Sequence, residues 1–406
     1  MTDDTSAARP RWGLTRYVTA ATLAGSADGG GVVAIVLIVT ASGAPGWLAG
    51  VLGASLTAPH LLGPLIARRL DTARDGRNVI AIACVVHGAT LAAAVLLYPL
   101  TWAIVPAGLL AISGLFGPFL TGGISSRLPA IAGVDRVSQR RAQGWDVATY
   151  GLGGTLGPSV VAAIAAWSTP TAAALVLAAG TFVAAVLVRF LPPAPAAGAG
   201  ADVPRPFRTL RLMLWSGRLR RKLSLTVIVA FSVATLPIVA VASTATLDTA
   251  ASAAAVLTAA YGVGNLLGSA GVTIRPLRGE ADALLPKLAA ATALGLLAVM
   301  LSPSFWFSVA AYAAVGVANA CFFAATLAAR SEYSPPEARG QVFVWVGALK
   351  ITAGSAGTAA TGAIIGVAAA LPLLGIIVAI FVASAVAVLE RVRESRRGLR
   401  AGHGAA

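Results

Sequence analysis

Residues 153–164 read GGTLGPSVVAAI, and two hundred positions later residues 353–364 read AGSAGTAATGAI, placing Gly154 over Gly354 and Gly157 over Gly357. A second pair agrees: at a shift of 205, PHLLGP (59–64) lies over GNLLGS (264–269), matching His60 with Asn265 and Gly63 with Gly268. Internal similarity at one long period indicates two copies of a single structural unit. Each of these segments sits inside an apolar run of about 20 residues, the length a helix needs to cross hydrocarbon.

Twelve such runs occur, with approximate limits 17–40, 46–67, 79–98, 102–124, 144–166, 170–190, 223–247, 251–273, 285–302, 304–328, 341–367 and 371–389. The 406 residues are 57% hydrophobic and only 11% charged, with a mean hydropathy of +0.83. A soluble domain carries about 25% charged residues, and disordered chains are poor in apolar residues, so both classes are excluded. Lipid offers no partner for open strand edges, so the spans are helices. Their abundant Ala, Gly, Ser and Thr let backbones approach where lipid supplies no hydrophobic drive. The predicted fold class is an all-α integral membrane protein, with twelve transmembrane helices in two pseudo-symmetric six-helix halves. The expected order is an N-terminal tail (1–16), a first half (17–190), a linker loop (191–222), a second half (223–389) and a C-terminal tail (390–406).

The net charge of +15 would suggest a nucleic-acid partner in a soluble protein. The positions say otherwise. Every Lys and Arg except Lys350 falls in a tail, or within or at the edge of the connection after an even-numbered span, from Arg9, Arg11 and Arg16 through Arg68–Arg77, Arg127–Arg141, Arg189–Lys222 and onward to Arg400. By the positive-inside rule that face is cytoplasmic. The expectation is a multi-pass plasma-membrane protein with both termini in the cytoplasm, its partners being the lipid bilayer, a small-molecule substrate and protons, with no nucleic acid and a monomeric state. The first run is too long for a cleavable signal and follows Asp3 and Asp4, so it reads as a permanent helix. Cys84 and Cys321 both lie within spans, where they are expected to pack as small apolar residues. The linker opens LPPAPAAGAGADVPRP and turns basic; an amphipathic helix over Phe207–Arg221 and an unstructured tether are both compatible with it.

With these features the chain resembles the major facilitator superfamily of secondary transporters. In span 5, Gly144, Gly153, Gly157 and Pro158 are spaced like that family's antiporter motif, with Val161 and Ala162 where the family has Gly-Gly. The glycines give a smooth face, and Pro158 removes one backbone hydrogen bond. Between spans 2 and 3, Gly63 and Arg68 match the family's loop motif, but Ala67 replaces its acid and Leu70 its second Gly; Asp71, Asp75, Gly76 and Arg77 offer an ion-pair latch in a shifted register. SPPEARGQVF (334–343), with Arg339 and Gly340, is also a loop of the family's kind.

Ionisable groups within a membrane are costly and mark functional sites. Asp28, in AGSADGGGVV, lies roughly 15 to 20 Å into span 1, and Lys350 lies roughly 15 Å into span 11. The expectation is that Asp28 binds a proton or cation, with Lys350 as its charge partner or as an anion-binding group. Span 1 lines the central cavity in the resembled fold. His60 and His87 are candidates for a proton relay, and His60, Asn265, Asn319 and Tyr261 for the substrate cavity. Trp145, Tyr150 and Trp345 are cavity walls or interface anchors. Asp146, near the boundary, is expected to form a surface pair with Arg140 or Arg141. Metal-ligand spacing, a phosphate-cradling loop and catalytic constellations are all absent from the sequence, so no cofactor is expected and the energy source is an ion gradient. The predicted function is proton-coupled export of a hydrophobic or amphipathic small molecule; the alternatives are an uptake or facilitative carrier and, in another class, a membrane-embedded transferase.

Overall fold

The computed structural model describes residues 12–133, 135–193, 202–250, 253–364 and 370–403. Residues 1–11 and 404–406 of the expected tails, 194–201 of the linker and 365–367 of span 11 lie outside the described residues. Among those described there is no strand. Twelve helices have the length and hydropathy to cross a membrane: Gly13–Ala41, Gly46–Thr72, Gly76–Leu97, Ile104–Ala132, Arg136–Trp167, Pro170–Arg189, Gly217–Thr246, Ala253–Ile274, Ala281–Met300, Phe305–Tyr333, Pro336–Ile364 and Pro372–Arg396, hereafter spans 1 to 12.

Several helices outrun their apolar windows because hydropathy marks hydrocarbon, not the helix. Span 5 begins at Arg136 rather than near 144; its opening RVSQRRAQ is polar, and the Asp135 side chain caps it by accepting from the Ser138 amide at 2.8 Å. Prolines interrupt other spans by removing backbone donors. Span 2 passes through a 3-10 turn, Ala58–Leu62, with Pro59 inside it and Pro64 just beyond. Span 4 widens instead, entering a π turn at Phe119–Gly123 directly after Pro118. Span 7 is broken between Val233 and Leu236, ahead of Pro237. Span 5, by contrast, remains helical through Pro158. The amphipathic helix expected over Phe207–Arg221 is two helices: Pro206–Trp215 ends at an extended Ser216, and Gly217 opens span 7. Gly217 lies against the Glu394 carboxylate, where a Cβ would collide.

The chain forms two compact units, residues 1–204 with 336–344, and residues 205–335 with 345–406. The start of span 11 therefore packs with the first unit. Within the first unit span 1 packs on spans 2, 5 and 6, span 3 on spans 4 and 6, and span 2 on span 4. The second unit repeats the scheme: span 7 on spans 8 and 12, span 9 on spans 10 and 12, and span 8 on span 10.

The repeat-matched glycines occupy matching contacts. A Cβ on Gly157 would run into the Ser26 carbonyl of span 1, and one on Gly357 into the Phe231 carbonyl of span 7. Likewise Gly63 meets Leu115 and Pro118 of span 4, and Gly268 meets Val317 and Ala320 of span 10. These backbone-to-backbone approaches are what small residues provide inside a membrane. Around them, the first unit buries one cluster about Tyr17, Ile80 and Phe119 and another about Leu52, Leu91 and Leu177. The second unit's core centres on Leu257, Leu285, Leu296 and Tyr312.

Candidate functional site

Asp28 sits at the middle of the 29-residue span 1, about 22 Å along its axis from Gly13. The glycines after it, Gly30 and Gly31, hold the helix against Gly157 and Leu177 on one side and Leu56 and Leu91 on the other. Opposite Asp28, the 3-10 turn of span 2 presents His60, whose Nε2 lies 2.9 Å from Asp28 Oδ1. The two side chains are 2% and 15% exposed. His60 stacks against Gly117 of span 4, where any Cβ would strike the imidazole. A carboxylate oxygen accepts, so Nε2 carries the proton in this contact. The pair can hold one proton between imidazole and carboxylate, and a second brings its net charge from −1 to zero.

His87 of span 3 is also an electrostatic neighbour of Asp28. Its own hydrogen bonds go elsewhere: Nδ1 lies 3.1 Å from the Ser113 carbonyl oxygen, and Ser113 Oγ donates to the His87 carbonyl at 3.1 Å. His87 thus ties span 3 to span 4.

Within its own unit, Asp28 has His60 as its charge partner. Lys350 lies in the second unit, with Nζ 3.7 Å from the centroid of the Phe323 ring. Tyr261 of span 8 and Asn319 of span 10 do meet: Asn319 Nδ2 donates to the Tyr261 hydroxyl at 2.9 Å, and Asn265 is buried one turn on from Tyr261.

Asp146 is a correction. It is 1% exposed rather than on the surface, and accepts hydrogen bonds from the Tyr17 hydroxyl at 2.5 Å and Ser125 Oγ at 3.0 Å, with Tyr150 next in the chain of hydroxyls, 3.2 Å from Ser125. Asp146 shares the buried face of span 5 with Thr149, Gly153 and Gly157. That helical periodicity was the available signal; the neighbouring Arg140 and Arg141 pointed to the surface. Gly144 is buried too, and Pro158 is half-buried. Trp345 is buried, its Nε1 donating to the Pro206 carbonyl at 3.1 Å, while Trp145 is exposed.

The connection between spans 2 and 3 is built from side chains reaching backbone. Asp71 accepts from the amides of Gly340 and Gln341, at 2.7 and 2.9 Å, at the start of span 11. A carboxylate at a helix N-terminus satisfies open donors and faces the positive end of the helix dipole. Arg68 donates to the Val203 carbonyl at 3.1 and 3.2 Å. Asp75 caps span 3 through the Arg77 amide, pairs with the Arg77 guanidinium at 2.8 Å and reaches Arg189 at 3.2 Å. Arg77 foremost, and Arg189 with it, hold the Asp75 carboxyl down at about 2. Gly63, the other motif position, makes the close approach to span 4 already described.

Lys222 and Arg330 escaped the sequence reading. Both looked like members of the basic face, yet both are completely buried, 0% exposed. Lys222 shares a helix face with Leu219, Leu223 and Thr226.

Two like six-helix units, each with polar groups sequestered among its helices, define a duplicated twelve-span membrane protein. No protein-family model matches the chain, and no curated protein matches its sequence. Solved structures do match in fold. A bacterial homologue of the iron transporter ferroportin, in the outward-facing state, is 12% identical, with 93% of this chain and 99% of that one covered at a TM-score of 0.77. The human organic anion transporter MFSD10 is 16% identical, with 93% and 98% covered at 0.64. The E. coli fucose:proton symporter FucP is 12% identical, with 92% and 98% covered at 0.65. The chain has the fold of the major facilitator superfamily transporters.

Proposed function

We propose that the protein is a secondary active transporter of the plasma membrane, which exports a small amphipathic molecule in exchange for protons by alternating access. The observation that carries this reading is the Asp28–His60 pair, a carboxylate and an imidazole in contact halfway along a membrane span. A buried ionisable pair at that depth is expensive, and proton relays are a principal reason to retain one. His60 stands on a proline-broken turn rather than a continuous helix, so a small change in that turn alters its distance from Asp28. The outward direction is supported by the glycine spacing of span 5. A second reading, proton-coupled uptake, is favoured by the fucose:proton symporter among the similar structures.

Proteoliposomes test the reading. Substrate movement driven by an imposed pH gradient is the expected result, with loss of that coupling in Asp28→Asn; full coupling in Asp28→Asn would overturn it. Accumulation in cells with and without a protonophore separates export from uptake.

A further inference from the structure

Three cationic side chains gather in the second unit, two of them fully buried and the third, Lys350, half-buried. Lys222 of span 7 and Arg330 of span 10 are 0% exposed. Lys350 of span 11 and Arg330 both lie against the ring of Phe323, at 3.7 and 5.6 Å from its centroid. Arg330 and Lys350 are also the charged groups that act on Lys222. Asp282, the buried acid of span 9, is engaged by Arg221 through two hydrogen bonds of 2.9 and 2.7 Å. Among the described residues, Lys222 Nζ has no hydrogen-bond partner.

An ammonium taken fully out of water without a counter-charge is strongly destabilising. Gathering two more cations around it adds repulsion that a low dielectric does little to screen. Such an arrangement becomes favourable when an anion enters. The three residues come from three different helices, spans 7, 10 and 11, so they converge from separate elements rather than line one helix face. They are also graded in depth: Arg330 stands three residues from the end of its helix, whereas Lys350 lies about 16 Å beyond Arg339.

We propose that Lys222, Arg330 and Lys350 form an anion site, and that the transported molecule carries a carboxylate, sulfonate or phosphate group, with the Phe323 ring beside it for an apolar body. This rests on the transporter reading above and narrows its substrate to amphipathic organic anions. Lys222 supplies the unmet donor, and Arg330 and Lys350 supply the field that draws the anion in.

The test is ligand binding to the purified full-length protein in nanodiscs, by calorimetry and melting shift, with benzoate, benzyl alcohol, benzylamine and inorganic phosphate as probes. Benzoate is expected to bind saturably, and the alcohol and amine of the same shape more weakly by about tenfold or more, the value of one charge-assisted contact. Lys222→Gln and, on a separate helix, Lys350→Gln should each weaken benzoate by a similar factor, while Lys222→Arg retains binding. Ligand-free Lys222→Gln is expected to melt no lower than the parent, since an unpaired buried charge has been removed. Benzoate binding no tighter than benzyl alcohol, or unchanged in both glutamine variants, would overturn the proposal. Inorganic phosphate binding as tightly as benzoate would overturn the organic-anion assignment. No gradient is used, so a negative result leaves proton coupling untouched, and failure of proton coupling leaves this site standing.

Discussion

His60 Nε2 meets Asp28 Oδ1 at 2.9 Å between the middle of span 1 and the broken turn of span 2. Removing one partner of a buried pair strands the other and costs about 3–5 kcal/mol, whereas replacing both by neutral groups of similar shape costs far less. His60→Ala alone is therefore expected to melt lower than the double variant Asp28→Asn/His60→Gln. A double-mutant cycle on melting temperatures, with each transport rate measured alongside, reads both the coupling energy and the loss of proton-driven flux. Additivity of the two single changes would show that the contact carries no energy.

The glycine contacts of the two repeats give a matched pair of tests. Gly157→Ala and Gly357→Ala each push a methyl into a carbonyl of the facing helix, Ser26 in one unit and Phe231 in the other. Each is expected to destabilise by about 1–3 kcal/mol through overpacking. Gly154 has nothing within 4 Å of where its Cβ would stand. There alanine should stabilise span 5 by about 0.5–1 kcal/mol, the ordinary helix preference over glycine. Melting curves in one detergent compare the three, and equal effects at Gly154 and Gly157 would remove the close-packing argument.

How much was legible in the sequence follows from what each signal measures. Apolar runs and arginine placement report the hydrocarbon and its two faces, so twelve spans and the duplication were readable. Helix ends were not: the RVSQRRAQ turns of span 5 lie outside the apolar run yet are helical. Asp28 stood out because a lone acid in an apolar run is conspicuous. His60 was legible as a relay candidate but not as the partner of Asp28, because it reaches Asp28 through a tertiary contact between helices, and only the proline-broken turn sets that geometry. Asp146, Lys222 and Arg330 sit near span ends, where sequence alone reads charge as surface; the helix packing that buries them is a property of the fold.

Asp71 tests the connection after span 2. Its carboxylate satisfies the Gly340 and Gln341 amides at the start of span 11. Loss of such a cap costs about 0.5–2 kcal/mol. Asp71→Ala should speed hydrogen exchange at those two amides, and Asp71→Asn, which keeps an acceptor but not the charge, should fall between parent and alanine. Unchanged exchange at Gly340 and Gln341 in Asp71→Ala would show that the cap is dispensable.

Asp75 sets an acid limit on the same connection. Arg77 and Arg189 hold its carboxyl at about 2, against about 3.9 in an unfolded chain. A depressed carboxyl contributes stability that is fully present above the unfolded value and is lost as pH falls through the folded one. The parent should therefore exceed Asp75→Asn in stability by a constant amount above pH of about 4, and the two should converge as pH approaches about 2. Asp75 is partly exposed and its partners Arg77 and Arg189 more or less so, so salt should shrink the difference without moving the window. Denaturation curves of the two proteins from neutral to acid pH measure it. A gap that widens toward low pH would contradict the pairing, because protonation can only remove what the ionised carboxylate supplies.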